Sequence, residues 1–235
     1  MALRLFVPGP LAESERFVLP PGPARHAQVR RVQPGDALVL FDGAGSDWPA
    51  TVLAMGRSEV AVRIGSPQPV AAELPWPVVL AVGMPANERM DTLVEKAAEL
   101  GAAAVQPLVC ERSVLRLAGE RAERKREHWQ AVAVAACEQC GRARVPLLQP
   151  VQALDDWLAT QTSGTRIVLA PGAALLREVL APGPVVLLSG PEGGLSPAEL
   201  QRATAAGFVP AGLGARVLRA DTAPLAALSW LALAG

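Results

Sequence analysis

The chain has no tyrosine, only two lysines among its 22 basic residues, two histidines and three cysteines. Each shortage narrows the function. Lys+Arg and Asp+Glu are both 22, so there is no net charge with which to hold a polyanion in bulk, and only a local basic patch remains open. Cys110, Cys137 and Cys140 form no even-numbered framework, which excludes a disulfide scaffold and fits reduced thiols in a cytoplasm. Cys137-x-x-Cys140 lacks a second ligand pair, and Cys110 with two scattered histidines does not supply one, so no metal is expected. The same pair falls late in a helical stretch, whereas a redox motif would open one. No long hydrophobic run exists: Ala223 to Gly235 is too short for a membrane span and is interrupted by Ser229. There is no Gly-x-Gly-x-x-Gly fingerprint and no Gly-Lys-Ser/Thr phosphate loop, which disfavours a nucleotide-dependent oxidoreductase and a pyrophosphate cradle. Because lysine is scarce while Ala and Pro abound, the arginines reflect GC-rich coding as readily as phosphate binding.

What is present is a core-forming composition, 51% hydrophobic over 235 residues, enough for one large domain or two small ones. Residues 1–70 read as β-rich. Leu3 to Val7 is a first strand rather than a leader. Ala37 to Phe41 follows the turn Pro34-Gly35-Asp36, and Pro49 to Met55 and Val60 to Ile64 complete a meander. Closely spaced short strands suggest a small barrel. Between the first two, Ala24 to Val32 has helical spacing and groups Arg25, His26, Arg30 and Arg31. Residues 65–77 are Pro-rich, and 71–77 are taken as a linker.

From residue 78 strands and helices alternate. Val78 to Val82, Ala104 to Val109, Arg166 to Ala170, Val185 to Leu188 and Gly207 to Leu213 are strands. Arg89 to Leu100, closed by Gly101, and Glu120 to Gln139 are helices. That order predicts an α/β domain over 78–235 with a parallel sheet and helices on both faces. Ligands in such sheets bind at the C-terminal strand ends. Two glycine-bearing segments lie there. One runs from Leu188 through Gly190, Pro191, Glu192, Gly193 and Gly194. It leads to Ser196-Pro197-x-Glu199, an N-cap, a first-turn proline and a capping-box acid. The other runs from Leu213-Gly214 through Leu218-Arg219-Ala220 to Asp221 and Thr222, either of which can cap the last helix. Each is either a structural turn or a backbone wall for a small polar ligand.

These two segments resemble the signature of the SPOUT methyltransferases, and with Glu99-Leu100-Gly101, Glu111-Arg112-Ser113-Val114, Glu138-Gln139-Cys140-Gly141-Arg142 and Val145-Pro146 the chain resembles the ribosomal RNA small subunit methyltransferase E family, the 16S rRNA uridine N3-methyltransferases. Arg25-His26, Val29-Arg30-Arg31, Pro34-Gly35-Asp36 and Phe41-Asp42-Gly43 resemble that family's PUA-like RNA-binding domain. Departures fall at Ala86, where the family often has Lys, and at Ala98, Cys140 and Asp221, where it often has Thr, Ser and Glu.

The resemblance implies a SPOUT-type trefoil-knotted sheet with a small N-terminal PUA-like β-barrel. It implies S-adenosyl-L-methionine held by Leu188, Gly190 to Gly194, Leu213, Gly214, Leu218, Ala220 and Thr222, and methyl transfer to N3 of a uridine in 16S rRNA or the assembled small subunit. It also implies a cytoplasmic homodimer that needs neither membrane nor metal. Arg219 and Arg142 are the expected cations for the N3 anion. Glu138 is either a base or a helix charge answered by Arg142 four residues on. Arg25, His26, Arg30, Arg31 and Arg112 are the expected RNA contacts. Arg116, Arg121, Arg124, Lys125 and Arg126 form a second patch, or with Glu120, Glu123 and Glu127 a solvated face. The competing readings are another rRNA or tRNA base as substrate, and an RNA-binding module whose fold is only a scaffold.

Overall fold

The structure, a computed structural model, describes residues 2–57 and 59–234. Two compact units emerge, Met1–Glu73 with Cys137–Val145, and Leu74–Ala136 with Pro146–Gly235. The first unit therefore takes in a short second segment that the chain order does not announce.

In the first unit the elements run β1 (Leu3–Phe6), β2 (Ser14–Val18), α1 (Pro21–Val29), β3 (Ala37–Phe41), β4 (Ser46–Met55), β5 (Val60–Ile64) and β6 (Gln68–Pro69). Among the described residues they form a mixed sheet in the order β1-β3-β4-β5-β2, with β6 on β4. The β3-β4-β5 meander is antiparallel, as its turns require, whereas β1 lies parallel to β3. Alternate residues Leu38, Leu40, Val52, Val62 and Ile64 point into one core with Leu5, and α1 closes it with Ala24 and Ala27. β2 escapes a hydrophobic-pattern reading because Ser-Glu-Arg-Phe-Val is a mostly exposed strand beside β5.

The second unit continues with β7 (Val78–Gly83), α2 (Asn87–Glu99), β8 (Ala104–Val109), α3 (Gly119–Cys140), β9 (Leu147–Leu148), β10 (Gln152–Ala153), α4 (Leu154–Leu158), β11 (Thr165–Leu169), α5 (Leu176–Val179), β12 (Val185–Ser189), α6 (Pro197–Ala205), β13 (Val209–Ala211) and α7 (Thr222–Ala234). The final turn of α3 belongs to the first unit. The sheet order is β10-β8-β7-β12-β11-β13 with β9 also on β8, and every described pairing is parallel. Central strands of a parallel sheet are covered on both faces, which explains why β7, β8 and β12 are mostly apolar, with Gln106 and Ser189 as buried polar exceptions. On one face Ala81, Leu108, Val168 and Leu188 pack with Trp157 of α4, Ala203 of α6 and Phe208. The Trp157 and Phe208 rings are tilted at 5.6 Å. α2 and α7 pack together, with α7 also against β7 and β12. The α2 helix ends where Gly101 takes φ of 93° and its amide bonds the Ala98 carbonyl.

The chain lays β8 and β10 on one side of β7 and β12, β11 and β13 on the other. The order thus reverses at β7/β12, the place where a doubly wound sheet opens a crevice beyond its carboxyl ends. No described helix is long and apolar enough to cross a membrane.

Candidate functional site

A cavity of about 560 Å³ lies beyond the C-terminal ends of β12, β11 and β13, within the range of small-molecule sites. Three loops wall it: Ser189 to Leu195 after β12, Leu169 to Pro171 after β11, and Leu213 to Ala220 after β13. Arg89 of α2, Arg112 of the loop after β8, and Leu200 and Ala223 complete the lining.

The first loop is shaped by close backbone approach. A Cβ on Gly190 would sit 2.7 Å from the Leu195 amide nitrogen, and one on Gly193 would sit 2.9 Å from Cβ of Arg112, so only glycine fits at either place. The Gly194 amide turns back onto the Pro191 carbonyl at 2.8 Å. Ser196 then caps α6 as its spacing predicts: its hydroxyl accepts from the Glu199 amide, and the Glu199 carboxylate accepts from the Ser196 amide at 2.8 Å. Glu199 is 1% exposed, and its other oxygen accepts from the Glu111 amide at 2.8 Å. This carboxylate therefore fastens the loop after β8 to the loop after β12. Arg112 completes the link, donating to the Gly193 carbonyl at 3.0 Å.

In the same loop, Glu192 accepts from the Ala86 amide at 2.9 Å and lies 3.6 Å from the Arg89 guanidinium. Its carboxylate is thus engaged at the start of α2. The remaining titratable lining groups are Arg112, Arg216 and Arg219, so the cavity is cationic in a chain of zero net charge. Among the described residues the side chains of Arg216 and Arg219 have no hydrogen-bond or ion-pair partner. The Arg219 carbonyl accepts from the Thr222 and Ala223 amides and so opens α7, and Asp221 accepts from the Thr222 amide at 3.1 Å. The cap is therefore shared by Arg219 and Asp221.

Of the expected cofactor residues, Gly190, Pro191, Glu192, Gly193, Gly194, Leu213, Gly214, Leu218 and Ala220 line this cavity. Leu188 is fully buried in the sheet core, and Thr222 is an exposed first-turn residue of α7; neither is in the lining. The third wall, Leu169-Ala170-Pro171, carries no chemistry-bearing side chain. Only the adjacency of β11 to β12 places it there.

The expected catalytic residues separate. Arg219 is exposed at the cavity. Arg142 and Glu138 do not line it and are engaged within the first unit. Arg142 is 3% exposed and makes a two-pronged contact to Glu73, at 2.6 and 3.1 Å. Its carbonyl accepts from Arg4, which also pairs with Asp47 and lies 5.0 Å over the Phe41 ring. Glu138 accepts from the Phe6 amide at 2.9 Å and is 3.3 Å from Nδ1 of His26. The carboxylate facing Arg142 is thus Glu73, and both residues hold the 137–145 segment into the first unit.

Among the expected RNA contacts, Arg25, Arg30 and Arg31 are exposed at α1 and the turn after it, without side-chain partners among the described residues. Arg31 holds φ of 57°, a conformation that side-chain-bearing residues rarely adopt. His26 is turned to Glu138, and Arg112 stands at the cavity. In α3, Arg124 pairs with Glu120 and Arg126 with Glu123, as a solvated face would.

Burial pushes the Cys110 thiol up to about 12, so it is an inert core group. A hydrogen bond from Ser196 and the Arg202 guanidinium hold the Glu111 carboxyl below its usual value. Among the described residues no cluster of His, Cys, Asp and Glu could hold a metal, and no cysteine forms a disulfide.

The chain thus carries a small mixed-sheet unit and a parallel sheet with a glycine-walled cavity beyond the ends of β11, β12 and β13. Residues 72–232 match the family model of an RNA methyltransferase domain and residues 24–65 that of an RNA methyltransferase PUA domain. The ribosomal RNA small subunit methyltransferase E of Bacillus subtilis is 32% identical over 212 residues, covering 86% of this chain and 83% of that protein. The protein of that name from Neisseria gonorrhoeae, solved bound to S-adenosyl methionine, is 33% identical. It superposes with a TM-score of 0.92 over 98% of this chain and 96% of that one. A Legionella pneumophila protein solved with the cofactor SAM bound is 34% identical, with a TM-score of 0.94 over 100% and 98%. The chain belongs to the ribosomal RNA small subunit methyltransferase E family.

Proposed function

We propose that this protein transfers a methyl group from S-adenosyl-L-methionine to N3 of a uridine in the 16S rRNA of the small ribosomal subunit, acting in the cytoplasm as a homodimer whose C-terminal chain is threaded as a trefoil knot. The observation that carries this reading is the cavity at the ends of β11, β12 and β13, whose first wall keeps its shape because Gly190 and Gly193 pack where a Cβ would meet the Leu195 amide and the Arg112 side chain. Relatives about one-third identical over nearly the whole chain hold S-adenosylmethionine.

The residues present suit that cofactor. Leu169, Leu195, Leu200, Ala211 and Leu213 offer an apolar bed for an adenine, and the backbone of Gly190–Gly194 and Leu213–Ala220 supplies donors and acceptors for its polar parts. When bound, the cofactor supplies an activated methyl group on a sulfonium. What the chain adds is orientation and charge. Uracil N3 carries an imide proton that is given up to solvent water before attack, and the resulting anion, which takes the methyl group, needs a cation. Arg219, exposed at the cavity and without a partner among the described residues, is assigned that role. Arg142 and Glu138 are assigned to holding the first unit together. Arg25, Arg30 and Arg31 are assigned to RNA phosphates, and each phosphate neutralised would steepen the salt dependence of binding by a log–log slope of about −0.7 to −0.9.

Mass mapping of nucleosides in small-subunit RNA from cells with and without the gene tests the reaction. One uridine should gain 3-methyluridine only when the gene is present. A methyl group appearing on another base, or none at all, overturns the assignment. Calorimetry with S-adenosylmethionine tests the cofactor separately, and absence of binding to the folded protein would leave only an RNA-binding module.

A further inference from the structure

Two loops at the C-terminal edge of the sheet share a composition of which the reaction just described uses only Arg219. After β13 the chain reads Arg216-Val217-Leu218-Arg219, and Val217 is 80% exposed between two exposed arginines. After β8 it reads Arg112-Ser113-Val114-Leu115-Arg116, and Val114 is 77% exposed between two exposed arginines. Single exposed valines are ordinary. These are not scattered: Val217, Arg216, Arg219 and Arg112 all line the one cavity. Arg216 and Arg219, on either side of Val217, have no partner among the described residues, while Arg112 and Arg116 each spend one N–H on a backbone carbonyl, of Gly193 and Glu111, and keep their remaining donors. A nucleic acid would match that alternation, because phosphates flank each base along the strand.

The chemistry of the target sharpens this. N3 lies on the pairing edge of uracil and is blocked in a base pair, so the reacting nucleotide must be unpaired and turned out of its stack. Proteins that hold nucleotides in that state place an aliphatic side chain against an exposed base face and fix the strand through phosphates.

We propose that the 216–219 loop, with Arg112 opposite, is the seat for an extruded nucleotide. Val217 lies against a base face, while Arg216 and Arg112 hold the phosphates on either side of it; Val114 and Arg116 extend the same strand path. This rests on the RNA-methylating reading above and adds where the strand crosses the cavity mouth and why unpaired RNA is preferred.

The test uses the full-length protein with fluorescein-labelled decauridylate and a fully paired RNA duplex of equal length, read by fluorescence anisotropy across a salt series. Wild type should prefer the unpaired strand. Val217→Ser should weaken decauridylate binding about threefold to tenfold with an unchanged salt slope, and Val217→Ile should restore it. Arg216→Gln should weaken binding of both RNAs and reduce the salt slope by about one. Equal affinity of wild type for both RNAs, or unaltered decauridylate binding by Val217→Ser and Arg216→Gln, overturns the proposal. So does a fall in the molar mass of Val217→Ser by light scattering, which would make the valine a contact between copies of this chain. Methylation of ribosomal RNA is followed in parallel. If wild type and Val217→Ser methylate with equal kcat/KM, only the strand seat fails; if wild type does not methylate at all, the enzymatic reading fails first.

Discussion

Two pairs of arginines, one in each unit, are used in opposite ways. In the first, Arg142 and Arg4 lie inside, their guanidinium groups answered by Glu73 and Asp47, and they bind a distant segment into the mixed sheet. In the second, Arg216 and Arg219 stand in the open at a cavity with no protein partner among the described residues. Arg142 and Arg219 look alike in the sequence, each close to a glycine in a motif shared with known methyltransferases. What separates them is burial and the presence of a carboxylate. A buried guanidinium with its fork satisfied by a carboxylate has no donors left for a substrate, whereas an unpaired one at a cavity keeps all of its donors for an arriving anion.

The comparison breaks most severely at the cavity floor. Gly190→Val places a side chain where the Leu195 amide stands, and calorimetry should show S-adenosylmethionine affinity lost by more than about 100-fold, with overpacking costing about 1–3 kcal/mol of stability. Retained affinity would remove the cofactor from this cavity. Arg219→Ala comes next: kcat should fall by about 10²-fold while cofactor affinity stays within a factor of a few, and equal losses in both would make it a binding group.

Arg142→Ala should do the reverse. Leaving Glu73 without its partner should cost about 2 kcal/mol in denaturant unfolding, below the usual figure for a fully buried pair because Glu73 is 27% exposed. The kcat of the folded protein should hold; a large loss of kcat at normal stability would return Arg142 to the catalytic set. Arg30→Glu combined with Arg31→Glu should weaken RNA binding at low salt and leave the cofactor isotherm unchanged. Smallest is the loss of the α6 cap. Ser196→Ala should cost about 1 kcal/mol. It should also loosen Glu111, whose carboxyl is held low first by Ser196. A lowered carboxyl contributes stability above its unfolded-state value that disappears as pH falls through the folded one, so the variant's deficit should shrink in acid titrations.

Much of this was legible before the structure. The runs Val60–Ile64 and Ala104–Val109 are strands at the bounds their composition suggests, because their residues face cores on alternate or on both sides. The Ser196-Pro197-x-Glu199 cap was legible for a local reason, since all its partners lie within one turn. What escaped was non-local or chemically silent. β2 carries its charge outward and shows no apolar run. The placement of β12 between β7 and β11 depends on crossovers, and with it goes the wall formed by Leu169-Ala170-Pro171. The fates of Arg142 and Glu138 depend on Glu73 and Phe6, which lie far away along the chain.

The first unit's second segment has a consequence for how the molecule can be taken apart. The chain passes between units at 73/74, at 136/137 and at 145/146. One proteolytic nick anywhere along it therefore leaves the units covalently joined, and a fragment ending at residue 73 lacks Glu138 and Arg142. Grafting this unit onto another enzyme by a single crossover would transplant an incomplete body. Its inheritance as a module requires two pieces of gene to travel together.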